Sequence, residues 1–418
     1  MNLKEEMLQL GRQARAASRA LGALTTQQKN DCLRAMADGL LHQADPIKAA
    51  NAADLEAGRA AGLSAALLDR LALTDKRIAD MAKGLREVAA LPDPVGRVLD
   101  ERVRPNGLRL RKVSVPIGVI VIIYESRPNV TADASGLCLK AGNAVILRGG
   151  KEAIHSNRAI AQVMLEAGAR AGLPANAVQV VQTTDREAVR ELVQMVGLVD
   201  LVIPRGGEAL IRAVAENARV PVCKHYKGVC HVYVDREADL DMAERIVVNA
   251  KCQRPATCNA METLLVDAAV AEQFLPRIAR TLSAMKVELR GDEKTRQLVP
   301  TAKPATERDW FNEYLDLIMN VRVVPGVEAA IEHINTYGSN HSDAIVTANQ
   351  ETADKFLRDV DAAAVYHNAS TRFTDGGEFG MGAEIGISTD KVGARGPMGL
   401  EELTTYKWIG HGSGQLRE

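Results

Sequence analysis

From Val115 onward the chain repeats one rhythm, a short apolar run followed by a mixed segment of helical length, and no other feature restricts its fold as strongly. Residues 119–123, 144–147, 178–181, 198–203 and 220–223 read as strands, apolar at nearly every position. Between them, 131–140 (closed by Gly142), 156–171 (closed by Gly172), 186–196 and 208–217 read as helices. A strand that is apolar on both faces is buried on both, and runs spaced by helices meet as parallel neighbours. The pattern predicts an α/β fold, an open parallel sheet covered on either side by helices. A second series starts near His231, with strands at 232–234, 262–266 and 287–289 and helices over 235–250 and 269–285. Leu240, Ala243, Ile246 and Val247 form the inward face of the first of these helices.

The flanks follow other periods. Residues 1–93 are rich in Ala, Leu, Arg and Glu and read as helical, with Leu33, Met36, Leu40 and Leu41 on one face and Leu68, Leu71 and Leu73 on another. Pro92 and Pro94 end that region. Over 102–115, Val103, Leu108, Leu110 and Val113 alternate loosely with Arg and Lys around the turn signal Asn106-Gly107. This predicts an exposed two-stranded arm, and with a strand at 403–409 it suggests subunit pairing. Residues 365–400 are glycine-rich and irregular, which suits the lining of a site.

Composition removes several classes of function. At 418 residues the chain is long enough for two or three domains. A formal net charge of -1 gives no general attraction to nucleic acid or an anionic membrane. Aromatic residues at 3% leave few stacking platforms for single strands. The six cysteines form no dense framework, which suits a reduced, cytoplasmic protein. The N-terminal 23 residues lack a continuous apolar core and read as an amphipathic helix rather than a signal peptide. The run 113–124 is broken by Pro116 and Gly118 and is too short to span a bilayer.

The stretch with most chemical content is Cys252-Gln253-Arg254-Pro255-Ala256-Thr257-Cys258-Asn259-Ala260-Met261-Glu262. Cys258 falls in a short polar loop near Lys251 and Arg254, just before an apolar strand; a positive field there favours thiolate, the nucleophilic form. The same residues also describe a buried, inert cysteine, and on their own they leave both readings open. Two glycine turns, Arg148-Gly149-Gly150-Lys151 and Pro204-Arg205-Gly206-Gly207, close strands of the first sheet at the end where α/β sheets bind ligands. Glycine admits close backbone approach and the cations suit phosphate, but neither turn is a GxGxxG, and ordinary surface turns remain the alternative. Cys223-Lys224-His225-Tyr226-Lys227-Gly228-Val229-Cys230-His231 mixes two zinc-ligand types at a spacing that fits no usual zinc module; a basic turn facing an anion is the stronger reading. In Asp309-Trp310-Phe311-Asn312-Glu313-Tyr314-Leu315-Asp316-Leu317-Ile318, a carboxylate beside an apolar strand start either meets a ribose or is solvated.

Further segments are Pro116-Ile117-Gly118-Val119-Ile120, Tyr124-Glu125-Ser126-Arg127-Pro128-Asn129-Val130, Leu139-Lys140-Ala141-Gly142-Asn143, Gly380-Met381-Gly382-Ala383-Glu384-Ile385-Gly386 and Ala394-Arg395-Gly396-Pro397-Met398-Gly399. With the Cys258 block they resemble the aldehyde dehydrogenase superfamily over nearly the whole chain, and within it a branch that reduces an acyl phosphate. The resemblance implies a Rossmann-type cofactor domain over 1–101 and 116–225, an α/β catalytic domain over 226–390, and a small β arm with hinge segments at 102–115 and 391–418. It makes Cys258 the nucleophile and Asn129 an oxyanion-hole amide. Arg148, Gly149, Gly150, Lys151, Arg205, Gly206, Gly207 and Glu313 become cofactor contacts. Of these, Arg148 would meet the adenosine ribose and Glu313 the nicotinamide ribose. Lys151 would welcome a 2′-phosphate, hence NADPH. His225, Lys227 and Arg254 become phosphate contacts, and no metal is implied.

One departure stands out: hydrolytic members carry a water-activating glutamate where this chain has His225 in His225-Tyr226-Lys227-Gly228. The implied activity is NADPH-dependent reduction of L-glutamyl 5-phosphate to L-glutamate 5-semialdehyde through a cysteine thioester, in proline biosynthesis. The implied partners are further copies of the chain and a glutamate 5-kinase. A phosphate-independent hydrolytic dehydrogenase and a zinc-binding structural module stay as alternatives.

Overall fold

The apolar runs become strands because burial on both faces satisfies every side chain at once, and the helices between them are held by the apolar side chains they bury. The computed structural model describes residues 2–417; Met1 and Glu418, which the ranges 1–101 and 391–418 include, lie outside the described residues. Two compact units divide the chain. The first runs up to Lys224, returns for Gly380–Gly386 and again from Met398 on; the second is His225–Phe379 and Ile387–Pro397. The second unit thus starts one residue before the boundary expected from sequence, and Gly380–Gly386 pack with the first unit rather than with 226–390.

In the first unit, α1 (Leu3–Leu21) and α2 (Thr26–His42) each open on a capping box, Asn2 with Glu5 and Thr25 with Gln28. They are followed by α3 (Ala44–Ala60), α4 (Ala65–Leu71) and α5 (Asp75–Ala90). Leu33, Met36 and Leu40 are fully buried as the pattern predicts, but Leu41 lies on the solvent side at 41% exposure, one residue off the inner stripe. The arm follows as β1 (Val98–Val103) and β2 (Arg109–Pro116), antiparallel, turning through Gly107 at φ +83°. The sheet consists of β3 (Val119–Tyr124), β4 (Ala144–Gly149), β5 (Val178–Val180) and β6 (Leu201–Arg205), parallel throughout in the order β5-β4-β3-β6. All residues of β3 and β4 are buried. Its helices are α6 (Val130–Lys140), α7 (Ile154–Arg170), α8 (Glu187–Val193) and α9 (Glu208–Asn217). The fifth strand expected at 220–223 does not form. Val222 makes one isolated bridge to Val202, and Pro221, which lacks an N–H, prevents a ladder from extending.

The second unit is a seven-stranded sheet, parallel throughout, made of β7 (Cys230–Val234), β8 (Met261–Asp267), β9 (Glu288–Gly291), β10 (Lys303–Pro304), β11 (Ile318–Val324), β12 (Ser342–Val346) and β13 (Ala364–His367). Its order is β10-β9-β11-β8-β7-β12-β13. Helix α10 (Leu240–Cys252) starts later than the sequence suggests because the Asp239 carboxylate accepts the Asp241 and Met242 N–H groups and fixes the N-terminus there. With α11 (Ala268–Ala284) it forms one hydrophobic core with Phe274, Leu275 and Ile278; Ile331, Ile334 and Phe356 belong to a second. Short strands β14 (Gly386–Ser388) and β15 (Gly396–Met398) pair with each other. Strand β16 (Thr404–His411) then joins β2 antiparallel, from Thr404 opposite Pro116 to His411 opposite Arg109, so the arm is a three-stranded sheet and not the two-stranded one expected. No helix among the described residues is long and apolar enough to cross a membrane.

Candidate active site

In the second unit, α10 ends at Cys252 and β8 begins at Met261, and the loop between them carries Cys258. Its ends are tied by a fully buried ion pair, Lys251 Nζ to Glu262 Oε2 at 2.8 Å. Its middle is fastened by Asn259, whose amide donates to the Thr374 carbonyl (2.9 Å) and whose own carbonyl accepts from Thr371 (2.7 Å). Arg372 reaches across the loop, donating to Gln253 (2.8 Å), Thr257 (3.1 Å) and Asn259. Burial, followed by the nearby charge of Arg254, lowers the Arg372 pKa, while Asp375 and the Cys258 sulfur act in the other direction. Two guanidinium groups therefore sit in electrostatic reach of the cysteine loop.

Backbone and rings close round Cys258 itself. Its carbonyl accepts the Cys230 thiol at 3.2 Å, and the burial that raises the Cys230 pKa well above normal keeps that thiol protonated. A Cβ at Gly228 would collide with the Cys258 carbonyl and Cα, so only glycine allows the two backbones to run this close. The Gly228 N–H donates to Glu313 at 2.8 Å. The Glu313 turn is held by Asp309, which accepts from the Thr306 N–H (2.8 Å), Tyr314 (2.7 Å) and Arg290 (2.6 Å). Burial alone would raise the Asp309 pKa; these donors outweigh it and hold the carboxyl well below the usual range, so Asp309 is a structural clamp and not a solvated group. The Cys258 sulfur and one ring nitrogen each of His225 and His341 lie within 4.8 Å of one another. His225 Nδ1 is 2.8 Å from the Ile387 carbonyl, and the rings of His225 and His341 meet edge to face at 5.6 Å. Burial pushes His341 down to about 3, aided by the charge of His225, so it is neutral at any physiological pH.

In the first unit the glycine turns are held mostly by the protein's own groups. Arg148, expected on the adenosine ribose, is buried, its guanidinium donating to the carbonyls of Gly149 (3.0 Å) and Thr184 (3.0 Å), contacts that tie a loop to the end of β4. A Cβ at Gly149 would run into Asn157, and one at Gly150 into Glu152. Glu152 accepts the N–H (2.6 Å) and hydroxyl (2.7 Å) of Ser126, which sits at φ +38°, a strained position for a residue with a side chain. Gly207, at the N-terminus of α9, donates to Glu125 at 3.0 Å, and a Cβ there would meet nothing within 4 Å. At Gly206 a Cβ would collide with that same Glu125 carboxylate. Arg205 packs against Gly386, and Lys151 is exposed. Asn129 precedes α6 and is exposed, one amide hydrogen going to Asp133 at 2.8 Å. Burial, only partly offset by that bond, pushes the Asp133 carboxyl up to about 6, although part of the residue stays accessible.

Of the expected residues, the second unit gathers Cys258, His225, Lys227, Arg254 and Glu313, and the first holds the rest. Lys227, expected on phosphate, donates to the Phe311 carbonyl at 2.6 Å and braces the Glu313 turn. The Cys/His stretch does not converge as a zinc module: Cys223 meets Met398, Cys230 meets the Cys258 carbonyl, and His231 pairs with Asp343 at 2.8 Å. His341 and Arg372 were not found from the sequence. Arg372 stands in the glycine-rich stretch 365–400 read as site lining, His341 in a segment with no motif, and the tertiary fold brings both to the loop.

A model of the aldehyde dehydrogenase family matches residues 3–317. The chain is 60% identical to the gamma-glutamyl phosphate reductase of Moorella thermoacetica and 57% identical to that of Geobacter metallireducens, each over 418 residues and the whole of both chains. Its structure is similar to that of the gamma-glutamyl phosphate reductase of Thermotoga maritima, with a TM-score of 0.98 and 50% identity over 99% of this chain and 100% of that one. It shares its fold with an acetylating aldehyde dehydrogenase of Geobacillus thermoglucosidasius, at TM-score 0.67 and 18% identity over 100% of this chain and 98% of that one.

Proposed function

The chain belongs to the aldehyde dehydrogenase family, and from that premise we propose that it reduces L-glutamyl 5-phosphate to L-glutamate 5-semialdehyde with release of phosphate, in line with the name its full-length relatives carry. The observation that carries this reading is the imidazole of His225 beside the Cys258 sulfur, where hydrolytic members of the family hold a carboxylate. A thioester formed there lacks the family's usual water-activating base.

In this reading the Cys258 thiolate attacks the acyl carbon, the carbon–oxygen bond to phosphate breaks, and phosphate departs as the hydrogen phosphate dianion, taking up the proton that the thiol gave to His225. Arg254 and Arg372, the pair of guanidiniums near the loop, draw the phosphate group in and stabilise its developing charge. The amide of Asn129 serves the oxyanion. His225, anchored by the Ile387 carbonyl, receives the thiol proton. Residues of the first unit fit a nicotinamide dinucleotide: the backbone is open at Gly207 at the start of α9, Arg205–Gly206 and Gly149–Gly150 end the two strands that flank β3, and exposed Lys151 suits the 2′-phosphate that distinguishes NADPH. Glu313, fixed by the Gly228 N–H, would hold the nicotinamide ribose. The bound cofactor supplies the hydride. Collapse of the resulting hemithioacetal returns the Cys258 thiolate and frees the aldehyde. The same reading carries a cytoplasmic homo-oligomer, paired through the three-stranded arm, that meets the glutamate 5-kinase supplying its substrate for proline synthesis.

Run in reverse, the reaction gives a sharp test. Oxidation of glutamate semialdehyde by NADP⁺ is expected to require phosphate or arsenate, with the rate falling at least about tenfold when both are left out. Rapid phosphate-independent turnover would overturn the proposal and restore the hydrolytic alternative.

A further inference from the structure

We propose that Cys258, His225 and His341 form a binding site for a zinc-class divalent cation whose occupancy blocks the thiol. The donor set is the first argument. One sulfur and two imidazole nitrogens within 4.8 Å of one another combine borderline-soft ligands that favour Zn²⁺ over Mg²⁺ or Ca²⁺. A tetrahedral zinc holds such donors about 3.3–3.8 Å apart, so the three need to draw in by only about an ångström. The orientation of the rings is the second. His225 Nδ1 lies 2.8 Å from the Ile387 carbonyl, which accepts only if that nitrogen carries the proton, making Nε2 the ligand atom. His341 Nδ1 lies 2.8 Å from Ser342 Oγ. Metal-binding histidines characteristically have the far nitrogen held in this way.

His341 is fully buried, and its Nε2 has no hydrogen-bond partner. A buried ring nitrogen left without a partner carries a desolvation cost that a metal ion would offset. The three protein donors leave a fourth position for water, as in open zinc sites. Arg372, which feels the charge of the Cys258 sulfur, opposes a cation and sets the affinity below that of a closed structural site. On binding, a Zn–S bond forms, the thiol proton passes to solvent, and nothing is oxidised or reduced. A zinc-bound thiolate has its lone pair engaged and does not attack an acyl carbon. The blocking half of the proposal rests on the reading of Cys258 as nucleophile; the binding half does not.

The experiment takes the full chain, reduced and stripped with a chelator, and titrates it with Zn²⁺ against a chromophoric chelator and separately with Co²⁺. One equivalent is expected to bind, with thiolate-to-cobalt charge transfer and tetrahedral d–d bands. Zn²⁺ should protect Cys258 from alkylation until a chelator is added. Cys258→Ser and His225→Gln should each weaken binding more than about tenfold. His341→Gln joins the comparison only if its near-ultraviolet circular dichroism matches the parent chain. Unchanged zinc affinity in either Cys258→Ser or His225→Gln, or a cobalt spectrum without the thiolate band, would overturn the site. If Cys258→Ser loses zinc but keeps reductase turnover, the site stands and the nucleophile reading fails; if it loses turnover and keeps zinc, the reverse holds.

Discussion

Lys251 lies in the last turn of α10 and Glu262 is the second residue of β8, and with neither side chain accessible their 2.8 Å contact staples both ends of the Cys258 loop. Breaking such a pair from one side leaves the other group buried without its partner. Lys251→Met is expected to cost about 3–5 kcal/mol in urea unfolding, and the double change Lys251→Met with Glu262→Leu to recover most of it. A loss below about 1 kcal/mol in the single variant would show that water reaches the pair. Burial pushes the Glu262 carboxyl up to about 7 from its usual 4.5, against the pull of Lys251. Between those values the folded chain holds a proton that the unfolded chain has released, so this group makes stability fall as pH rises through that window. Residue-level legibility tracked chemistry more than geometry. The loop position of Cys258, between a helix and a strand, was readable because a short polar stretch before an apolar run is a local pattern. The backbone contacts of Arg148 and Lys227 were not readable, since a carbonyl leaves no mark in a sequence.

At the scale of elements, β16 covers β2 along eight residue pairs and brings Tyr406 under Lys112, with the ammonium 3.7 Å from the ring centre. A chain ending at Leu403 would leave that edge of β2 unpaired, with its N–H and C=O groups offered to other molecules. Such a truncation is expected to self-associate, measured as a rise in mass by light scattering after size exclusion. A soluble species of unchanged mass would count against this account. The elements themselves were largely legible, because apolar runs and glycine stops report on burial and chain reversal. The failure at 220–223 came from reading apolarity alone: Pro221 keeps the run apolar while removing the donor a ladder needs. The strands from β11 to β13 went unread because their sequences mix polar residues such as Asn320, Arg322 and Asp343 into the runs. Asp343 is buried there to face His231, a tertiary reason invisible in the local pattern.

For the whole molecule, charges nearly cancel: the formal net charge is -1 and the isoelectric point about 6.7. Colloidal repulsion is then weakest near neutrality. Turbidity at high protein concentration and low salt is expected to peak close to pH 6.7 and fall on either side. A flat profile would mean that a locally charged surface, and not the net charge, governs association. The division into units has a consequence in time. The second unit is almost one continuous stretch, whereas β2 of the first unit must wait for β16, about 290 residues further along the chain. At synthesis rates of roughly 5–20 residues per second, that edge stands open for about 15–60 s on every ribosome. The last strand to be made thus works as a closing clasp, and until it arrives the nascent chain offers a passing chaperone an eight-residue strand edge to hold.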